Sequence, residues 1–340
     1  LVGREQEVAG LTRLLDDPAR RLVTVVGMGG VGKTRLALQA AMAQLHTFDD
    51  GVYWVSLSGM NSPERLARVI GEAVGLAFSG SQSDEAHLFE QLRNKEVLLV
   101  LDNFEHLREA ATLLTRLLGA APSVTLLVTS RERLHLHGEW LVDLAGLQLP
   151  PANATPGEWE SSPAVQLFVQ SAPRARGHFM PDAGERAWIE QICTLLDGLP
   201  LGIELAAAWS RLLSFEEIAQ EIERDLAFLT SSLRDVPARH RSLRAVFDHS
   251  WGLLSAEEQR LLGSLSLFRG GFGREAAEQV AGASLPLLAS LLDKSLLRRD
   301  PATGQYDLHD LVRQYAWGKL EQSGEMGHVR RAFLGYFLSL

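Results

Sequence analysis

The chain has 340 residues, 46% of them hydrophobic and 22% charged, which is typical of globular proteins, and its length predicts two or three domains. Its single cysteine, Cys193, excludes a disulfide framework and a cysteine-based zinc site, and no apolar run reaches the roughly 18 residues of a membrane-spanning helix. The net charge of −9 argues against nucleic-acid binding through a broad basic surface. We therefore expect a cytoplasmic protein with neither a membrane nor a nucleic acid as partner.

The first 149 residues alternate short β-branched runs with amphipathic stretches, a pattern typical of a parallel sheet covered by helices. Strands are predicted at 22–26, 51–57, 96–101, 124–129 and 139–144. Helices are predicted at 33–45, 63–74, 86–93 and 109–118. This part of the chain is therefore expected to be an α/β domain.

A segment with three prolines and a glycine, residues 149–157, marks the clearest domain boundary. Beyond it the pattern is mainly helical, with helices predicted at 164–172, 184–196, 202–213, 214–229, 241–251 and 255–267. Ser162 and Pro163 predict an N-cap followed by proline, and Ser255 with Glu258 fits a capping box. A hairpin predicted at 296–308, between two helical stretches, suggests a winged-helix fold.

Residues 27–34, GMGGVGKT, match the phosphate-binding pattern G-x-x-x-x-G-K-[ST] between a predicted strand and a predicted helix. Glycines let backbone amides point at an anion, and the helix N-terminus adds a favourable dipole. Lys33 is expected to contact the β- and γ-phosphates and Thr34 to ligate Mg²⁺. The predicted nucleotide contacts in this region are Gly27, Gly29, Gly30, Val31, Gly32, Lys33, Thr34 and Arg35.

A second part of the site is predicted where the apolar run 97–101 ends in Asp102, a carboxylate suited to the Mg²⁺. Many hydrolytic proteins of this class carry another acid close by to activate water, but here the next residue is Asn103, which cannot accept a proton. Glu105 is the nearby carboxylate, either catalytic or a cap for the following helix. Arg131, just after the strand 124–129, is either a γ-phosphate sensor or a surface charge.

These motifs, followed by Gly198-Leu-Pro-Leu201, form an ordered set that resembles the NB-ARC family of signal-transduction ATPases (the STAND class). The resemblance extends over nearly the whole chain and brings in residues 2–5, VGRE, and 308–310, LHD. It implies that Val2, Gly3 and Arg4 lie near adenine, that Pro200 packs on the base or ribose, and that His309 reaches the β-phosphate of ADP. Leu308 stands where methionine is more usual, a near-isosteric change of little expected consequence.

The same resemblance implies four parts: a P-loop nucleotide-binding domain (1–149), a helical domain (150–236), a winged-helix domain (237–325) and the start of a helical, TPR-like region (326–340). It further implies flanking effector and sensor domains beyond a fragment, and ATP-dependent self-association.

The predicted function is a signalling switch in which ADP holds a closed resting state and ATP is hydrolysed slowly, so enzymatic turnover is a secondary expectation. Three alternatives remain at this point. They are an AAA+ ATPase with a DNA-binding winged helix, a small-molecule kinase, for which no acceptor pocket or lid is identified, and an ADP-bound interaction scaffold without turnover.

Overall fold

The computed structural model describes residues 1–60, 62–78, 83–172, 181–230 and 242–339. Within them the chain divides into two units. The first contains Leu1, Gly3–Gly27 and Gly32–Leu144, and the second contains Val2, Met28–Val31 and the described residues from Ala145 onward. The middle of the glycine-rich loop therefore groups with the second unit. The domain boundary predicted between residues 236 and 237 and the helix start predicted at 241 lie outside the described residues.

A parallel sheet forms in the first unit, with its strands in the order β2-β3-β4-β1-β5. The three inner strands are buried along their whole length, as expected of apolar runs that pack against helices on both faces. The strands are β1 (Leu22–Val26), β2 (Val52–Ser56), β3 (Leu98–Asp102), β4 (Thr125–Ser130) and β5 (Glu139–Asp143). The predicted α/β class with a parallel sheet is confirmed.

Helices of the described first unit are α1 (Glu5–Leu15), α2 (Lys33–Ala43), α3 (Leu66–Ala73), α4 (Asp84–Leu92) and α5 (Ala111–Ala120). Apolar side chains of α3, α4 and α5 form one core with the sheet, among them Ile70, Leu88 and Leu114. Helix α1 lies outside every predicted helix, because it buries only Leu11 and Leu15. Acidic residues in its first turn and a basic residue in its last turn favour it electrostatically.

Helices dominate the second unit: α6 (Pro156–Ser161), α7 (Pro163–Ser171), α8 (Ala183–Leu195), α9 (Pro200–Trp209), α10 (Phe215–Arg224), α11 (Leu243–Gly252), α12 (Ala256–Leu265), α13 (Arg274–Ala281), α14 (Leu285–Asp293), α15 (Asp310–Ser323) and α16 (Met326–Leu338). The capping box predicted at Ser255 and Glu258 is confirmed. Ser162 does precede a proline at the start of α7, but its hydroxyl donates to the carbonyl of Gln148 (2.9 Å) instead of capping the helix.

Helix α6 (Pro156–Ser161) begins inside the segment predicted to mark the domain boundary, residues 149–157. Thr155 is its N-cap, and Glu158 completes a capping box with it. Pro156 occupies the first helical position, where a missing N–H costs nothing. Proline and glycine in this segment thus mark the beginning of a helix as well as the end of the preceding domain.

Two glycines allow the chain after β5 to cross the turn between α8 and α9. The amide of Leu147 donates to the carbonyl of Gly198 at 2.7 Å. A Cβ at Gly146 would lie 2.1 Å from the carbonyl oxygen of Asp197, and one at Gly198 would lie 2.1 Å from that of Leu147. Both positions therefore exclude a side chain, and the crossing fixes the turn that leads into α9.

A two-stranded antiparallel hairpin, β6 (Arg298–Arg299) and β7 (Tyr306–Asp307), forms where the sequence predicts one. Tyr306 also pairs with Phe272 through two backbone hydrogen bonds of 2.8 and 2.9 Å. A buried ion pair of 2.6 Å between Glu258 and Lys294 joins α12 to α14. The winged-helix assignment of this region stays a prediction.

Candidate functional site

The glycine-rich loop joins β1 to α2 and needs glycine at several of its positions. Gly30 (φ +84°) and Gly32 (φ +101°) have left-handed backbone, which side chains other than glycine rarely adopt. Gly32 occupies the N-cap position of α2, where no side chain caps the helix and the first turn holds no acidic residue. An anion arriving at this helix end therefore meets no competing carboxylate from the helix itself.

Lys33 has its ammonium group folded back over the start of the loop. Its Nζ donates to the carbonyl oxygen of Gly27 at 2.7 Å. Burial lowers the pKa of Lys33 to about 8, with Glu105 opposing the shift and Arg131 adding to it. The geometry places a partly buried cation at the loop, where phosphate oxygens would find less competition from water than at an exposed lysine.

Thr34 and Asp102 meet across the ends of α2 and β3. The Thr34 hydroxyl donates to Oδ1 of Asp102 at 2.8 Å. The Thr129 hydroxyl, at the end of β4, donates to the same oxygen at 2.6 Å and accepts from the amide of Asn103 at 2.9 Å. Sequence reasoning missed Thr129, although the pairing of β3 with β4 aligns Leu101 with Val128 and so brings the next residues, Asp102 and Thr129, to the same edge of the sheet.

Asn103 follows Asp102 in left-handed backbone (φ 71°), which asparagine tolerates better than most residues. Its side-chain Nδ2 is buried and has no hydrogen-bond partner among the described residues. An amide in this position can orient a water molecule but cannot accept its proton.

Glu105 and Arg131 form a buried ion pair. Nε of Arg131 lies 3.0 Å from Oε1 of Glu105, and the two side chains are only 9% and 2% exposed. Burial alone would raise the pKa of Glu105, but the neighbouring Lys33 and Arg131 charges lower it overall. Oε2 of Glu105 is buried without a hydrogen-bond partner among the described residues. Arg131 is thus no surface charge, and Glu105 lies close enough to Lys33 for the two charges to interact.

Just before α1, the N-terminal segment contains the buried Arg4 and Gly3, whose backbone is left-handed. Arg4 is buried at the N-cap of α1 and forms an ion pair with Glu7 at 2.6 Å. Gly3 has left-handed backbone (φ 60°), and Val2 groups with the second unit. Arg35 is exposed on the first turn of α2. These residues remain predicted nucleotide contacts.

In the second unit, His309 is buried at the N-cap of α15. Its Nδ1 accepts from the amide of Leu311 at 3.2 Å, so the imidazole proton belongs on Nε2. Burial, reinforced by the charge of Arg298, lowers the pKa of His309 to about 3, which keeps the ring neutral. Nε2 lies 3.2 Å from Oδ2 of Asp197 without forming a hydrogen bond, while Arg298 takes that oxygen at 2.8 Å.

Pro200 occupies the first position of α9, in the turn that follows Asp197. Asp197 and Arg298 were not predicted, because they are distant in sequence from His309 and carry no motif of their own. The structure thus gives His309 a buried donor that no described side chain satisfies.

The family model of the NB-ARC domain matches residues 4–133. An uncharacterised protein of Mycobacterium tuberculosis is 35% identical over 341 residues, which covers 96% of this chain and 83% of that protein. The chain belongs to the NB-ARC family. A candidate HTH-type transcriptional regulator of the same organism is 39% identical over 317 residues, which covers 90% of this chain and 34% of the regulator. This NB-ARC chain therefore spans about a third of that regulator.

Among solved structures, a STAND protein with a tetratricopeptide repeat sensor from Pyrococcus horikoshii is similar with 19% identity and a TM-score of 0.41, covering 100% of this chain and 45% of that one. None of the helices within the described ranges of the NB-ARC chain combines the length and apolar character that a membrane span requires.

The pKa of Lys33 predicts a pH dependence of nucleotide affinity in this NB-ARC chain. Bound phosphate favours the charged ammonium, so affinity is complete below the pKa of about 8 in the free chain and is lost as the pH rises through it. The dissociation constant for ADP, measured by calorimetry from pH 7.0 to 9.5, should rise by up to about tenfold per pH unit above 8. Lys33→Arg removes the titration and should give a flat profile; an unchanged slope in that variant contradicts the assignment.

Proposed function

We propose that this NB-ARC chain is an ADP/ATP-dependent signalling switch module, in which ADP holds a closed resting state. The observation that carries the switch is the buried Nε2 of His309, a donor without a described hydrogen-bond partner. Leaving such a group unsatisfied costs about 1–3 kcal/mol, so a buried donor of this kind favours a ligand acceptor. The resemblance to the NB-ARC family assigns that acceptor to the β-phosphate of ADP.

The oxygen ligands and the lysine beside the loop are suited to a nucleotide bound with Mg²⁺. Thr34 and Asp102 bring a hydroxyl and a carboxylate oxygen within 2.8 Å of each other, and hard oxygen ligands are what Mg²⁺ prefers. Thr34 and Asp102 would hold the ion, which would neutralise phosphate charge when bound. Lys33 would add a positive charge beside the phosphates, and Thr129 would hold Asp102 in its orientation.

Hydrolysis by this site is proposed to be slow. Asn103 offers no proton acceptor where many hydrolytic relatives of the P-loop class have an acid. Glu105 has one oxygen held by Arg131 and one without a described partner, so it is the group best placed to accept a proton from water. Arg131, if drawn to a γ-phosphate, would weaken its hold on Glu105, and hydrolysis would then reset the switch.

The proposed domain division follows the resemblance: 1–149 nucleotide-binding, 150–236 helical, 237–325 winged-helix, and 326–340 the start of a helical region. The end of β5 at Asp143 and the hairpin β6–β7 support the first and third assignments. A cytoplasmic location, flanking sensor and effector domains and ATP-dependent self-association belong to the same proposal. The regulator from Mycobacterium tuberculosis, of which this chain spans a third, supports a signalling role.

The first test is to identify the nucleotide that copurifies with the chain and to titrate ADP in thermal melts. We expect retained ADP and, at a thousandfold excess over the dissociation constant, about 4 kcal/mol of added stability. A chain that neither retains ADP on purification nor melts at a higher temperature with added ADP would contradict the proposal.

His309→Ser tests the switch itself. Serine keeps an N-cap acceptor for α15 but cannot supply the Nε2 donor. We expect ADP affinity to fall roughly tenfold to a hundredfold, the worth of a hydrogen bond to a charged group of about 1.5–3 kcal/mol, with ATP affinity nearly unchanged. The exposed His328→Ser is the control and should bind both nucleotides normally. Equal losses for ADP and ATP in His309→Ser would argue against a switch.

A further inference from the structure

Helix α9 begins without a side-chain cap. Its N-cap is Leu199, which has no side-chain hydrogen-bonding group, and Pro200 at the first position has no amide hydrogen. Leu201 is therefore the first residue of the helix with an N–H to satisfy, and first-turn amides have no partner inside a helix. This amide donates to the carbonyl oxygen of Gly30, at 3.2 Å. The glycine-rich loop thus supplies the cap that the sequence of α9 lacks.

The side chain of Leu201 also lies close to Gly30 and leaves no room there for a side chain. A Cβ at Gly30 would lie 3.0 Å from the Cβ of Leu201 and 3.2 Å from its Cδ2, closer than most real contacts, and the φ of +84° adds strain. Gly30 stands at a position that the phosphate-binding pattern leaves free. Two features therefore favour glycine at position 30: the left-handed backbone and the close approach of α9.

We propose that Leu201 is a positioning residue for the phosphate loop, holding the Gly30 peptide so that nucleotide occupancy and the start of α9 depend on each other. This inference rests on the proposed nucleotide site. The inference agrees with the grouping of Met28–Val31, the middle of the loop, with the second unit, which contains α9. Because linkage is reciprocal, an α9 that favours the phosphate-binding form of the loop raises nucleotide affinity, and bound nucleotide stabilises the first turn of α9 by the same factor.

Leu201→Ala, measured by calorimetry with ADP on the whole chain, removes the leucine side chain beyond Cβ and keeps the amide. We expect about tenfold weaker binding, equivalent to about 1.4 kcal/mol, and recovery in the volume-conserving Leu201→Met. Leu205→Ala is the matched control, because Leu205 is a buried leucine of the same helix. It should lower the melting temperature and leave ADP affinity within about twofold when measured well below that temperature. Equal loss of affinity in Leu201→Ala and Leu205→Ala would overturn the inference.

A double-mutant cycle isolates the contact from backbone strain. Gly30→Ala introduces the same φ strain whether residue 201 is leucine or glycine, so the strain cancels between the two backgrounds. We expect Gly30→Ala to weaken ADP binding about tenfold more with Leu201 present than in Leu201→Gly, a coupling of about 1.4 kcal/mol. Equal losses in both backgrounds would overturn the coupling. Failure of the unmodified chain to bind ADP would instead overturn the proposed function.

Hydrogen exchange gives a readout that does not depend on a variant. Binding of ADP should slow amide exchange in peptides that cover Leu199–Leu205 of the unmodified chain, because the Leu201 amide is held by the occupied loop. Unchanged exchange in these peptides at saturating ADP would count against reciprocal coupling.

Discussion

Replacing Lys33 with methionine should weaken ADP binding at least about a hundredfold, which corresponds to about 2.7 kcal/mol. The ammonium lies at the loop with its Nζ 2.7 Å from the Gly27 carbonyl, and burial already lowers its pKa to about 8. A partly buried cation gains more from a phosphate than an exposed lysine does, since the effective dielectric constant is lower around it. Calorimetric titration with ADP at pH 7.5 measures the loss.

The same substitution separates binding from folding. A lowered lysine pKa means that the folded chain without nucleotide disfavours the charged ammonium, so Lys33→Met should not reduce the stability of that chain below pH 8. Chemical denaturation without ADP checks this. Lys95→Met is the matched control, because Lys95 is exposed and paired with Asp50 in the same unit, and it should bind ADP normally. A large loss of stability in Lys33→Met would assign the residue a structural role.

The parts of the fold that sequence patterns predicted are those determined by local physics. A short apolar run rich in valine and leucine, such as 97–101, is typical of a strand buried on both faces, and most of it lies in β3. The loop at 27–34 could be predicted because the residues that bind a phosphate, its glycines and Lys33, lie at fixed spacings within eight residues. Capping at Ser255 was found for the same reason, because its partner Glu258 is three residues away.

What could not be predicted depends on contacts between distant residues. No sequence pattern links Arg131 to Glu105, so the sequence could not exclude a surface charge at position 131; the buried ion pair excludes it, and the sensor role of Arg131 stays a prediction. The same holds for Asp197 beside His309, and for Leu201 against Gly30. Thr129 is the exception, because the order of parallel strands would have placed it beside Asp102 had the register been worked out.

Glu105→Gln should slow ATP hydrolysis at least about a hundredfold in single-turnover assays, the range expected for removal of a general base. The substitution keeps the size of the side chain and an oxygen for Arg131 but removes the proton acceptor. ADP affinity should change by no more than about threefold, because the loss is confined to the chemical step. Glu132→Gln is the matched control: Glu132 is also buried and paired with an arginine, Arg108, and its substitution should leave the rate unchanged.

Asn103→Asp then decides whether slow turnover comes from the missing acid at that position. If Glu105 is the base, an added carboxylate at 103 brings a third negative charge near Asp102 and Glu105 and should give no gain in rate. A faster Asn103→Asp together with an unaffected Glu105→Gln would move the base to position 103 and make Asn103 the cause of slow hydrolysis. Loss in Glu105→Gln without gain in Asn103→Asp would assign the proton acceptor to Glu105, whose Oε2 is the oxygen that Arg131 does not hold.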